Sequence, residues 1–330
     1  TTPGDAPVMT LKFGGATSQN TVSCTAFSGN IFTYSYTIKE GDNGMMTVSL
    51  ATVYDAAGNS KSATDATPNN NIGADTIDPT VGTIKMGFSS GANDYTNNTW
   101  TNRDVYIAID NPGSDSQSGV NTTTYSVTQN GASYITGQTG ELTLSEQGTY
   151  TIIVTTTDNA LPDGNVSTSS TYIVKIDKTA PTIGTLTKKI GTSGGSDYIG
   201  TWSGTEGANG ASFTGNWINQ DVYVASNNGS DVETTNSYWT SGHSSTTSSY
   251  QYNGGTATSL TTTTFTTQGT YVVTVTTADI AGNTATQTYT IRIDKTAPTI
   301  TVNPASTAWR NSALSVTVTH NDTGGSGLAS

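Results

Sequence analysis

The chain has 330 residues, 32% hydrophobic and 11% charged, with a net charge of −12 and only 12 Lys plus Arg. So few cations leave no patch to neutralise phosphates, which excludes nucleic acid as a partner. One cysteine excludes an intrachain disulfide framework, and with two histidines it cannot build a convincing zinc site.

In chain order, the first strong strand signal is Met46-Thr47-Val48-Ser49-Leu50-Ala51-Thr52-Val53-Tyr54-Asp55. A turn at Ala57-Gly58-Asn59 follows, and after a loop comes Thr76-Ile77-Asp78-Pro79-Thr80-Val81. Asn98-Thr99-Trp100-Thr101-Asn102 then leads into the β-branched run Val105-Tyr106-Ile107-Ala108-Ile109. Thr149–Asp158 and Tyr172-Ile173-Val174-Lys175-Ile176-Asp177-Lys178-Thr179-Ala180-Pro181 are strands ending in an Asp. Both return as Thr270–Asp279 and Tyr289-Thr290-Ile291-Arg292-Ile293-Asp294-Lys295-Thr296-Ala297-Pro298. Trp217 and Trp309 repeat the Trp100 corner, ahead of Val222-Tyr223-Val224 and Ala313-Leu314-Ser315-Val316. No apolar stripe of helical period interrupts these runs, so the fold class is all-β. The abundance of Thr agrees with that, because Thr fits a pleated strand.

The intervals Asp78–Asp177 and Asp177–Asp294 each suit one β-sandwich of roughly 100 residues. The expected domains are therefore 1–77, 78–176, 177–293 and an incomplete 294–330. Segments 191–215 and 226–255, rich in Gly, Ser and Asn, read as surface excursions of the third domain. The short fourth domain reads as a cut chain, or else as one completed by strands of a neighbouring subunit. Cys24 reads as a small buried residue, and the three corner tryptophans as packing residues.

The repeated Gly-Thr-Tyr, Asp-x-Ala-Gly-Asn and Ile-Asp-Lys-Thr-Ala-Pro-Thr-Ile strings resemble the tandem bacterial immunoglobulin-like domains of large surface and secreted proteins. Ser118-Gly119-Val120 and Ser326-Gly327-Leu328 belong to the same resemblance, which covers residues 78–330 well and 1–77 less well. It implies an extended array of immunoglobulin-like β-sandwiches, extracellular or at the cell surface, used as a stalk, spacer or interaction module. It also implies calcium at domain junctions in some members.

The Asp residues of turns and junctions are the chemical candidates, because calcium takes six to eight oxygen ligands from carboxylates, carbonyls and water. Asp55, Asp78, Asp158, Asp163, Asp177, Asp279 and Asp294 form this set. The competing reading is turn capping, since Asp before Gly-Asn accepts a backbone N–H in an Asx turn. The loop Asp110-Asn111-Pro112-Gly113-Ser114-Asp115 is a second candidate, read first as a solvated turn. Tyr198, Trp202, Tyr238 and Trp239, with Tyr250 and Tyr252, are peculiar to the third domain and are candidates for stacking on a glycan or anchoring a partner; the competing reading is that these rings pin long loops.

Catalysis is not expected. Gly87-Phe88-Ser89-Ser90-Gly91 and Gly191-Thr192-Ser193-Gly194-Gly195 mimic a nucleophile elbow, but that motif needs a strand-to-helix turn in an α/β sheet. Glu141, Glu146, Glu206 and Glu233 share no pattern that would pair two acids in one cleft. No run is long enough for a membrane-spanning helix, so direct membrane insertion of this segment is not expected. The reading is a non-enzymatic structural or adhesive protein, a stalk, surface-layer or filament subunit. Its expected partners are other copies of itself, neighbouring surface proteins and glycans. The alternatives are a binding module of a larger secreted enzyme and a phage or virus tail decoration.

Overall fold

The computed structural model describes residues 6–14, 20–55, 57–66, 72–196, 217–232, 239–303, 309, 311–323 and 325–328, with backbone alone for 62–66. All regular structure among them is β. Contacts divide the chain into two compact units. One comprises Thr1–Thr99, Asp104–Ser145 and Thr149–Val174, and the other Trp100–Arg103, Glu146–Gly148 and Lys175–Ser330.

In the first unit, β1 (Met9–Phe13), β2 (Asn20–Val22), β3 (Cys24–Ser28), β4 (Ile31–Tyr34), β5 (Gly44–Tyr54), β6 (Ser60–Ala66) and β7 (Gly73–Ala74) come first. They build a sheet of order β2-β1-β5-β6, with β7 beside β5 and a separate β3–β4 hairpin. Leu11, Phe13, Val22 and Ala74 are its buried residues, whereas Val53 and Tyr54 at the end of β5 are exposed. Cys24 is partly exposed, contrary to the expectation of a buried thiol, because it starts the two-stranded hairpin, in which every later residue of β3 is exposed.

The chain continues through β8 (Thr83–Gly87), β9 (Trp100–Thr101), β10 (Val105–Asn111), β11 (Val120–Gln129), β12 (Ala132–Gln138), β13 (Leu142–Leu144), β14 (Gly148–Asp158), β15 (Val166–Thr168) and β16 (Tyr172–Ile176). A three-stranded sheet of order β13-β10-β8 accompanies a larger one containing β12-β11-β14-β16, with β15 beside β14. Burial alternates along β14 with the two-residue period of a pleat, so Tyr150, Ile152 and Val154 point inward. Tyr125 of β11, fully buried, donates its hydroxyl to Gly140 O at 2.6 Å. Burial pushes its phenol up to about 12, with the charge of Glu141 adding to the effect.

The second unit repeats the scheme with β17 (Leu186–Ile190), β18 (Val222–Ser226), β19 (His243–Tyr252), β20 (Thr258–Ser259), β21 (Thr262–Phe265), β22 (Gly269–Asp279) and β23 (Thr284–Ile293). Sheets β17-β18-β21 and β20-β19-β22-β23 share one core of Leu186, Val222, Val224, Leu260, Phe265, Tyr271, Val273, Val275, Ile291 and Ile293. That common core between two sheets is a β-sandwich arrangement, and each fully buried Val or Ile contributes about 1.5–3 kcal/mol of apolar burial. The segment expected as a loop excursion at 226–255 contains β19, an inner strand of the second sheet. Its Ser- and Thr-rich outer positions disguise it, because the partly buried Tyr250 supplies its apolar contact to the core.

Finally β24 (Thr299–Asn303) and β25 (Thr317–Asn321) form a hairpin. Trp309 is fully exposed, unlike its counterparts. Trp217 is half-buried against Gly325, and Trp100 is half-buried with the Lys175 ammonium 5.7 Å from its ring centroid. The packing role expected for the corner tryptophan thus fails at Trp309.

Candidate metal centre

Two groups of three carboxylates stand out, Asp75–Asp115–Asp158 in the first unit and Asp177–Asp231–Asp279 in the second. Within each, one carboxylate oxygen from every member lies within 4.8 Å of the others. Corresponding backbone positions build them both. The first Asp precedes a Pro-Thr pair, where Thr80 and Thr182 bridge to Ser114 and Ser230. The second Asp, Asp115 or Asp231, directly follows that serine. The third closes the long strand, β14 or β22.

The hydrogen bonds repeat as well. Asp177 accepts the Thr179 N–H on Oδ1 at 3.0 Å and the Ser241 N–H on Oδ2 at 2.7 Å. Asp75 accepts the Ile77 N–H at 3.1 Å and the Ser118 N–H at 3.0 Å in the same way. Asp279 holds its own loop, taking the N–H groups of Gly282 and Asn283 on Oδ1, both at 2.7 Å, and the Asn283 amide on Oδ2 at 2.7 Å. Asp158 does the same with Ala160 and Asn165. Each clasping asparagine then reaches the first Asp of its own group, Asn283 donating to Asp177 O at 2.9 Å and Asn165 to Asp75 O at 3.3 Å.

A buried threonine layer lies beneath both groups. Thr277, one inward position before Asp279, accepts the Gly184 N–H at 3.0 Å and meets Thr246 Oγ1 at 3.2 Å. Thr156 does this for Gly82 at 2.9 Å and Thr123 at 3.1 Å. These contacts satisfy polar groups that would otherwise be costly to bury. They also require glycine, because a Cβ at Gly184 or Gly82 would collide with the carbonyl of Asn227 or Asn111.

Burial separates the two groups. Asp177, Asp231 and Asp279 are 0%, 6% and 3% exposed, whereas Asp75 and Asp115 are half-buried beside a fully buried Asp158. Desolvation, followed by the Gly242 N–H pulling the other way and the charges of Asp177 and Asp279, leaves the Asp231 carboxyl above the usual range. Backbone donors stabilise these carboxylates but do not neutralise them, and an uncompensated buried charge is expensive. An ionised carboxylate offers about four lone-pair positions, so the hydrogen bonds leave acceptor capacity on carboxylates whose oxygens lie within 4.8 Å of one another. Three clustered carboxylates suit a hard cation such as calcium, which draws its further oxygens from carbonyls or water.

A third, partial copy uses Asp294 and Asp322. Asp294 accepts the N–H groups of Thr296 and Ser326 at 2.9 Å each, and the Ser326 hydroxyl reaches Asp322 at 3.0 Å. The Ser326 side chain, then the N–H groups of Thr296 and Ser326, hold the Asp294 carboxyl below its usual range.

No family model matches the chain, and no curated protein sequence does.

Of the residues expected from sequence, Asp158, Asp177 and Asp279 enter the two groups, and Asp294 enters the partial one. Asp55 forms the same asparagine clasp, with Asn59 Nδ2 at 2.7 Å, but is exposed and belongs to neither group. Asp78 is exposed, and Asp75 holds the position equivalent to Asp177 instead. Asp163 is exposed and outside both groups. Sequence reasoning missed Asp75 and Asp231, and read Asp115 first as a solvated turn. Counting back from Pro79, Pro181 and Pro298 gives Asp75, Asp177 and Asp294. Ser241-Gly242 takes the part of Ser118-Gly119 and Ser326-Gly327, at the place where the third repeat diverges in sequence. Of the aromatic candidates, Trp239 is half-buried. Tyr198, Trp202 and Tyr238 lie outside the described residues.

Proposed function

We propose that the chain is an extracellular structural or adhesive protein, a stalk, surface-layer or filament segment built of tandem immunoglobulin-like sandwiches and stiffened by calcium. The observation that carries this reading is the recurrence of one carboxylate group, with its asparagine clasp and threonine layer, at the strand ends of successive repeats. Turn capping alone accounts for each Asp separately. It does not account for three carboxylates distant in sequence converging within 4.8 Å. A site that draws its first ligand from the Pro-bearing segment before a sandwich and the others from loops of that sandwich ties the entering chain to the domain. The calcium therefore stiffens the entry segment of each sandwich, and repetition sets the reach. The role in this reading is mechanical, and the partners are further copies or neighbouring surface proteins.

Small-angle scattering of the purified chain in calcium and in chelator tests the reading. The expected result is a longer, stiffer particle in calcium. A compact particle with the same profile in both conditions overturns it.

A further inference from the structure

We draw no further inference here: the strongest candidate, the exposed apolar face of the β24–β25 hairpin formed by Ile300, Val302 and Val318, carries nothing because nothing in the structure shows what covers it.

Discussion

Asp231→Asn gives opposite outcomes with and without calcium. Asp231 is 6% exposed and has carboxylate oxygens of Asp177 and Asp279 within 4.8 Å. At that separation, and with an effective dielectric of about 20, each like-charge pair is unfavourable by about 3.5 kcal/mol. Relaxation and solvent penetration reduce the two together to a net of about 1–3 kcal/mol. Asparagine keeps an acceptor for the Gly242 N–H, which donates to Asp231 at 2.8 Å, so the variant loses charge and little geometry. In chelator, Asp231→Asn therefore raises the stability of the second unit by about 1–3 kcal/mol, roughly 2–4 °C per kcal/mol for a domain of this size. In calcium the order reverses, because the wild type gains about 4.1 kcal/mol at a thousandfold excess over its dissociation constant and the variant gains much less. Thermal melts of both proteins, followed by near-ultraviolet circular dichroism in chelator and in millimolar calcium, supply the four numbers. If the substitution destabilises equally in both conditions, Asp231 is a hydrogen-bond acceptor of a turn and the cation argument fails.

Other expectations follow from the same geometry. Tyr125 keeps its proton up to about 12 in the folded state but ionises near 10 when unfolded, so its stabilisation is whole below pH 10. It falls by about 1.4 kcal/mol per pH unit between about 10 and 12. Denaturant titrations across that range show the loss, and Tyr125→Phe flattens it while costing about 1 kcal/mol at neutral pH. Val273→Ala, at a fully buried core position, lowers the denaturation free energy by about 2–3 kcal/mol with or without calcium, which separates core from site effects. Gly229→Ala costs more than an ordinary surface change, about 2–4 kcal/mol by the same assay, because its Cβ would strike Thr182 O and Thr277.

The strands were legible where alternation is strong. Thr149–Asp158 and Thr270–Asp279 carry an apolar residue at almost every second position and became β14 and β22. β19 was not legible, because Ser and Thr fill His243–Ser249 and its neighbours in the sheet, rather than its own side chains, dictate its place. The candidate site was half legible for a related reason. Asp158 and Asp279 end obvious strands and start recognisable turns, so their sequence context announces them. Asp115 and Asp231 follow serines in variable loops, and only the Thr80–Ser114 and Thr182–Ser230 bridges bring them to the same place. Asp78 misled because it sits closer to its proline than Asp75 does, and the resemblance to Asp177 is one of side chain rather than of spacing. Trp309 shows the limit of repeat logic, since it matches Trp100 and Trp217 in sequence yet is fully exposed.

Calcium titration of the chelator-treated chain by isothermal calorimetry tests the central claim most directly. The account predicts saturable binding of at least two ions per chain, one for each complete carboxylate group, with Asp158→Asn and Asp279→Asn each removing one. A folded chain that takes up no calcium at millimolar concentration, or binding that both variants leave unchanged, contradicts it.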